Sequence, residues 1–183
     1  MRSLTIHPLT PERIAPAFPL VQTAFPDVTL AEWAAFAKRL LDENNPPGTG
    51  ILSVLSERDY IAGLAVHHVE RDLRHGPALI ADHFIALDLF GRGAVVQALA
   101  EALETLARGY DCNAVHILIP ENAIAPRSHA NVFIEVLRAV GHRAESRCLC
   151  KRLTIPDKRT NAPAPKKRAP APSSGGGPAA ASV

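Results

Sequence analysis

Residues 78–119 read ALIADHFIALDLFGRGAVVQALAEALETLARGYDCNAVHILI. An apolar strand (78–89) runs into a loop with Gly91 and Gly93. A helix from about Ala94 to Arg108 follows, then a second apolar strand, 114–120. Val95 or Val96, Leu99, Leu103 and Leu106 recur at helical spacing and face a core, and Gly109 is the expected C-terminal cap. A strand that turns at glycines and restarts as a helix aims backbone N–H groups at one point. Such a helix start is a site for an anion, most often phosphate.

Working towards the N-terminus, 51–56 (ILSVLS) and 60–70 (YIAGLAVHHVE) are strands joined by the turn Glu57-Arg58-Asp59, and 71–77 turns into the strand at 78. Hairpin-length spacing predicts an antiparallel meander. Residues 2–7 make a short strand. Thr10-Pro11 opens a helix, with the hydroxyl as cap, that Pro16 and Pro19 shorten or kink. Thr29 and Glu32 form a capping box for a helix burying Leu30, Trp33, Ala37, Leu40 and Leu41, and NNPPGTG ends it. After residue 120, Ser128 caps a helix running to Val140, Gly141 closes it, and 144–155 is a last strand. The order β, α, α, β, β, β, α, β, α, β is that of an α+β protein with a mixed, mostly antiparallel sheet and segregated helices.

The chain of 183 residues is 47% hydrophobic and 21% charged, ordinary for one globular domain. No run approaches the roughly 18 apolar residues of a membrane span, and no signal-type core opens the chain, so no membrane partner and a cytoplasmic location are expected. Cys112, Cys148 and Cys150 do not make a disulfide framework. Cys148 and Cys150 share one face of a strand and would need two more ligands to hold a metal; none is expected. The folded domain is expected to span 1–155. Residues 156–183 carry five basic residues against Asp157, a net +4 that leaves −2 for the rest of a chain totalling +2. This Ala/Pro/Lys/Gly/Ser segment lacks the apolar surface to offset ordering entropy and reads as a disordered basic tail. Its contact with nucleic acid would be weak and salt-sensitive, without aromatic residues for stacking.

The element order, with Asp88-Leu-Phe-Gly91-Arg92-Gly93 after the fourth strand, resembles the GNAT superfamily of acyl-CoA-dependent N-acetyltransferases. The family's loop pattern is Gln/Arg-x-x-Gly-x-Gly/Ala. VQALAEALETLARGY is similar to its third helix and NVFIEVLRAVGH, 131–142, to its last. The likeness covers roughly 2–155. Three positions depart from the pattern: Asp88 replaces Gln or Arg, Leu137 stands near the position of a frequent tyrosine acid, and His142 stands where Phe is usual. Aligning by helix register instead puts Val96 at the last small position.

The resemblance implies an α+β GNAT-like domain with helices on both faces of the sheet. It implies acyl transfer from acetyl-CoA (or a related acyl-CoA) to an amine. Phe90, Gly91, Arg92, Gly93 and Ala94 would hold the pyrophosphate, Ile85, Ala86 and Leu87 the pantetheine arm, and Asn131 (or Asn122) would help hold it. Arg92 is otherwise a solvated loop arginine. Amine acylation needs a base. Asp82 and His83, on the strand leading to the glycine loop, are the candidates and are expected to face opposite sides of the sheet. His67 and His68 on the neighbouring strand carry the same ambiguity, and Glu70 ranks below them. The alternatives are a catalytically degenerate member acting as a binding or interaction module, and a nucleic-acid-associated protein working through its tail.

Overall fold

Five strands build one sheet in the order β1-β2-β3-β4-β5, with runs of consecutive buried residues in the central ones because helices cover both faces. The computed structural model describes residues 4–87, 93–119 and 130–145, all within the first of two units, Met1–Glu145 and Ser146–Val183. The strands are β1 (Thr5–Pro8), β2 (Gly50–Leu55), β3 (Ile61–Asp72), β4 (Gly76–Ala86) and β5 (Ala114–Ile117). The first four pair antiparallel and β5 joins β4 in parallel. A parallel neighbour needs a crossover, and α3 (Ala94–Gly109) supplies it. The architecture is the expected α+β one. The expected last strand, 144–155, and the tail, 156–183, lie outside the described residues apart from the stretch up to Glu145.

Helices cover both faces. On one, α1 (Ile14–Ala24) and α2 (Leu30–Leu40) pack Leu20, Val21, Trp33 and Ala37 against Ile51, Leu64, Val66 and Ile85. On the other, α3 and α4 (Ala130–Ala139) pack Val96, Leu99, Leu103, Phe133 and Leu137 against Val54, Ala65, Leu79 and Phe84. Gly63 lets α3 approach β3, because a Cβ there would meet Val95 Cγ1 at 2.6 Å.

The helix ends show how local chemistry sets these positions. The box at Thr29 forms as expected: Glu32 N donates to Thr29 Oγ1 (3.3 Å) and Thr29 N to Glu32 Oε2 (2.9 Å). Trp33 Nε1 then donates to the Ile14 carbonyl at 2.7 Å, tying α2 to α1. Leu30, expected in the core, is 45% exposed at the first turn. Thr10 makes no cap bond. Its side chain serves the Glu12 carboxylate instead, and a 3-10 turn, Pro11–Arg13, precedes α1. Pro16 falls in the first turn of α1, where a missing N–H is harmless; Pro19 lies inside the helix, which still spans 11 residues. Gly109 does not cap α3: the left-handed residue is Asp111 (φ 52°), and Cys112 N donates to the Ala107 carbonyl at 2.9 Å. Gly141 (φ 100°) closes α4 as expected, with His142 N donating to Leu137 O at 2.9 Å.

Two groups with no freedom to move generate predictions. Gly93 begins α3 at φ 68°, and a Cβ there would overlap Val136 of α4. Gly93→Ala is expected to lower stability by about 1–3 kcal/mol, read as a reduced urea midpoint at unchanged slope. His67 is buried, with Nδ1 2.8 Å from the Gly48 carbonyl oxygen, and its burial pushes the imidazole pKa down. Below about pH 6.5 the unfolded chain takes up a proton that native His67 resists. Stability should therefore fall as pH drops from 7.5 to 5.5, and His67→Gln should flatten that dependence in thermal melts.

Candidate functional site

The site is built around an extra residue in β4. Val66 pairs with His83 and His67 with Ala81, so Asp82 has no counterpart of its own on β3. This is a β-bulge, which breaks the alternation of side chains. Ala81 and Phe84 both enter the core under α3, whereas Ile85 enters the core under α1 and α2. Asp82 and His83 consequently share the α1–α2 face. The expectation that they face opposite sides is overturned, because strict alternation does not survive the inserted residue. The bulge also sorts the histidines of β3. His67 turns into the α3 side and is structural, while His68 meets Asp82.

On that face the groups are close. His68 Nδ1 lies 3.2 Å from Asp82 Oδ2, and His68 Nε2 lies 3.6 Å from Glu70 Oε2. The His68 and Asp82 side chains are each 34% exposed, so water and solutes reach the pair. The His83 ring lies against Phe25 and Phe36, with centroids 5.5 Å and 5.3 Å away. Its Nδ1 is buried without a hydrogen-bond partner among the described residues. Burial pushes the His83 pKa down, against a smaller opposing pull from the Asp82 carboxylate. His83 is therefore neutral at neutral pH.

The same bulge ends the pairing of β4 with β5. The ladder runs from Ala78–Ala114 to Ala81–Ile117, and a final bond joins Leu118 N to Ala81 O at 2.9 Å. Beyond Ala81, no described strand pairs with that edge of β4. Leu87 N donates to Ala62 O of β3 at 2.8 Å. Antiparallel alternation then turns the N–H and C=O of Ile85 towards β3 as well, and those of Phe84 and Ala86 towards the open edge. Of the three residues expected to bind an arm through their backbone, Ala86 has the outward orientation; Ile85 and Leu87 do not, and Phe84 joins Ala86.

Gly93 and Ala94 stand at the start of α3, whose first helical bond is Gln97 N to Gly93 O at 2.9 Å. The N–H groups of a first helical turn lack helical acceptors and favour an anion. Gly93 stands at the helix start, and Val96 is fully buried within α3. Phe90, Gly91 and Arg92 lie outside the described residues, as do Asn122 and the side chain of Asn131, whose backbone is in the first turn of α4. Leu137 is buried in the core and supplies no acid. A further cluster, Asp72, His75 and His116, lies at the β3–β4 turn and on β5 and has no signature in the sequence.

Neither a family model nor a curated protein matches the chain. Solved structures do. The aminoglycoside N-acetyltransferase AAC(6′)-Iy in complex with CoA aligns with TM-score 0.64 and 16% identity over 85% of this chain and 97% of that one. The aminoglycoside 6′-N-acetyltransferase AAC(6′)-Ih from Acinetobacter baumannii gives 0.63 and 12% over 84% and 99%. Glucosamine-6-phosphate N-acetyltransferase from Arabidopsis thaliana gives 0.60 and 16% over 83% and 99%. The similarity spans sheet, helices and nearly the full length of each neighbour, and the chain accordingly has the GNAT fold.

Proposed function

We propose that the protein is an N-acyltransferase that moves an acetyl or related acyl group from acyl-CoA to an amine. The observation that carries this reading is the edge of β4 beyond Ala81, unpaired among the described residues, beside the Asp82–His68 pair. An extended amide-containing arm can add to the outward N–H and C=O groups of Phe84 and Ala86 as a strand would. At the far end, Gly93, Ala94 and the preceding Phe90–Arg92 would meet the pyrophosphate at the start of α3. Asn131 keeps its proposed place beside the arm. The neighbour solved with CoA supports the donor class.

In this arrangement Asp82 accepts the proton of the incoming ammonium, directly or through one water, and His68 passes it towards Glu70 and solvent. The free amine attacks the thioester carbon, and an outward backbone N–H of β4 steadies the developing oxyanion. The C–S bond then breaks and the thiolate takes its proton from solvent, since Leu137 offers none. His83, neutral between two phenyl rings, forms the wall of the acceptor side. Glu70 and Asp82 give that side a negative character suited to an acceptor amine carrying further positive charge. No helix among the described residues is long and apolar enough to cross a membrane. A cytoplasmic location fits a user of acyl-CoA.

Two experiments test the reading. Acetyl-CoA at 100 times its Kd should stabilise the protein by about 2.7 kcal/mol, a rise of roughly 5–10 °C in melting temperature. No shift at millimolar ligand would favour a degenerate binding module. In a thiol-release assay over a panel of diamines and polyamines, Asp82→Asn and His68→Ala should each lower kcat by about 10²-fold with little change in the KM for acetyl-CoA. His83→Phe should retain most of the kcat. Full turnover by a folded Asp82/His83 double variant would exclude both as the base.

A further inference from the structure

At the turn between β3 and β4, three side chains from two distant parts of the chain bring ligand atoms together. His75 Nδ1 lies 3.2 Å from Asp72 Oδ1. It also lies 3.1 Å from Nε2 of His116, 41 positions away on β5. One ligand atom from each of the three residues falls within a common span of 4.8 Å. The two rings stand nearly perpendicular, at 82°, and do not stack. All three side chains are partly buried.

Asp72 Oδ1 is held in place by the backbone N–H groups of Arg74 (2.8 Å) and His75 (2.9 Å), which aim it at the His75 ring. His75 Nε2 lies 3.5 Å from Glu145 Oε2. When Nε2 carries the proton and points it at Glu145, neutral His75 turns a bare lone pair from Nδ1 towards the Asp72 carboxylate oxygen. When Nδ1 carries the proton instead, that one proton faces two acceptors, Asp72 and His116, and Glu145 faces a lone pair. A cation between the three atoms would let each direct a lone pair at positive charge, which neither neutral tautomer of His75 achieves. The spacing suits such an ion. Ligands 2.0–2.1 Å from zinc in a tetrahedral site lie about 3.3 Å from one another, close to the 3.1 Å and 3.2 Å that separate His75 Nδ1 from His116 Nε2 and Asp72 Oδ1, and the three atoms fall within 4.8 Å of one another. Two imidazoles and one carboxylate are the donor set of zinc and its neighbours in the transition series rather than of magnesium or calcium. A carboxylate behind the ligating histidine, fixing its tautomer and orientation, is the usual outer partner of such a ligand, and Glu145 stands in that place.

We propose that Asp72, His75 and His116 form a site for a divalent transition-metal ion of the zinc class, with Glu145 orienting His75. Asp72 and His75 belong to the hairpin between β3 and β4, and His116 to β5. The ion therefore clamps the hairpin to the parallel strand. Asn113 Nδ2, donating to the His75 carbonyl at 2.9 Å, already joins the same two segments. The site is independent of the acyl-transfer reading, since no step of that chemistry passes through it.

The test uses the full-length, tag-free protein, stripped with chelator and dialysed against zinc chloride, with bound metal measured by mass spectrometry. One zinc per chain is expected. His75→Ala and His116→Asn should each weaken binding at least tenfold, and Glu145→Gln by about tenfold, within the range for loss of an outer partner. A Cys112/Cys148/Cys150→Ser variant should still bind one ion, which separates this site from any thiol site. Circular dichroism of each variant shows whether it is folded. The zinc-dependent rise in melting temperature of the wild-type protein should be absent from folded His116→Asn. No bound zinc, or zinc kept by His116→Asn, or zinc lost from the cysteine variant, would overturn the proposal.

Discussion

The arrangement of the site depends on one residue inserted into β4. The bulge at Asp82–His83 costs the sheet a regular step of its ladder, and three consequences follow from that step. It places two adjacent polar side chains on one face, brings Asp82 within 3.2 Å of His68, and marks the last described pair with β5, at Ala81. Each consequence alone would be unremarkable. Together they put an ionisable pair next to a stretch of β4 backbone that no described strand pairs with.

The rest of the molecule holds that opening in place. On one side α3 lies over β3 without an intervening side chain at Gly63, and its first turn is fixed against α4 by Gly93. On the other, Trp33 links α2 to α1, and the pair carries Phe25 and Phe36 onto His83. The two layers therefore meet the same strand from opposite faces. The apolar burial that stabilises the fold is also what fixes the start of α3 and holds His83 between Phe25 and Phe36.

Much of the fold was legible in the sequence because its signals are local. Hairpin spacing, the Thr29–Glu32 box and the α3 stripe each depend on residues a few positions apart. The errors were also local competitions: Asp111 rather than Gly109 took the left-handed position after α3, and Leu30 pointed to solvent at a helix start. The site was less legible. A bulge is a property of pairing between strands, and nothing in ALIADHFIA alone says that β3 skips a residue. The one available signal was the pair of adjacent polar residues, Asp82 and His83, interrupting an apolar strand. The Asp72, His75 and His116 cluster was invisible for a related reason, since His116 reaches the turn through the parallel register of β4 and β5.

Ala81 and Phe84 lie on one face with two residues between them, whereas an unbroken strand would place a single residue there. Removing one of those two would leave every downstream side chain, from Phe84 to Ala86, on the face it already occupies. The β4 strand thus carries one residue more than its core needs. Scaffold and site are separable in this protein at the level of a single codon: the core sets which faces are buried, and the surplus residue sets which polar groups share the α1–α2 face.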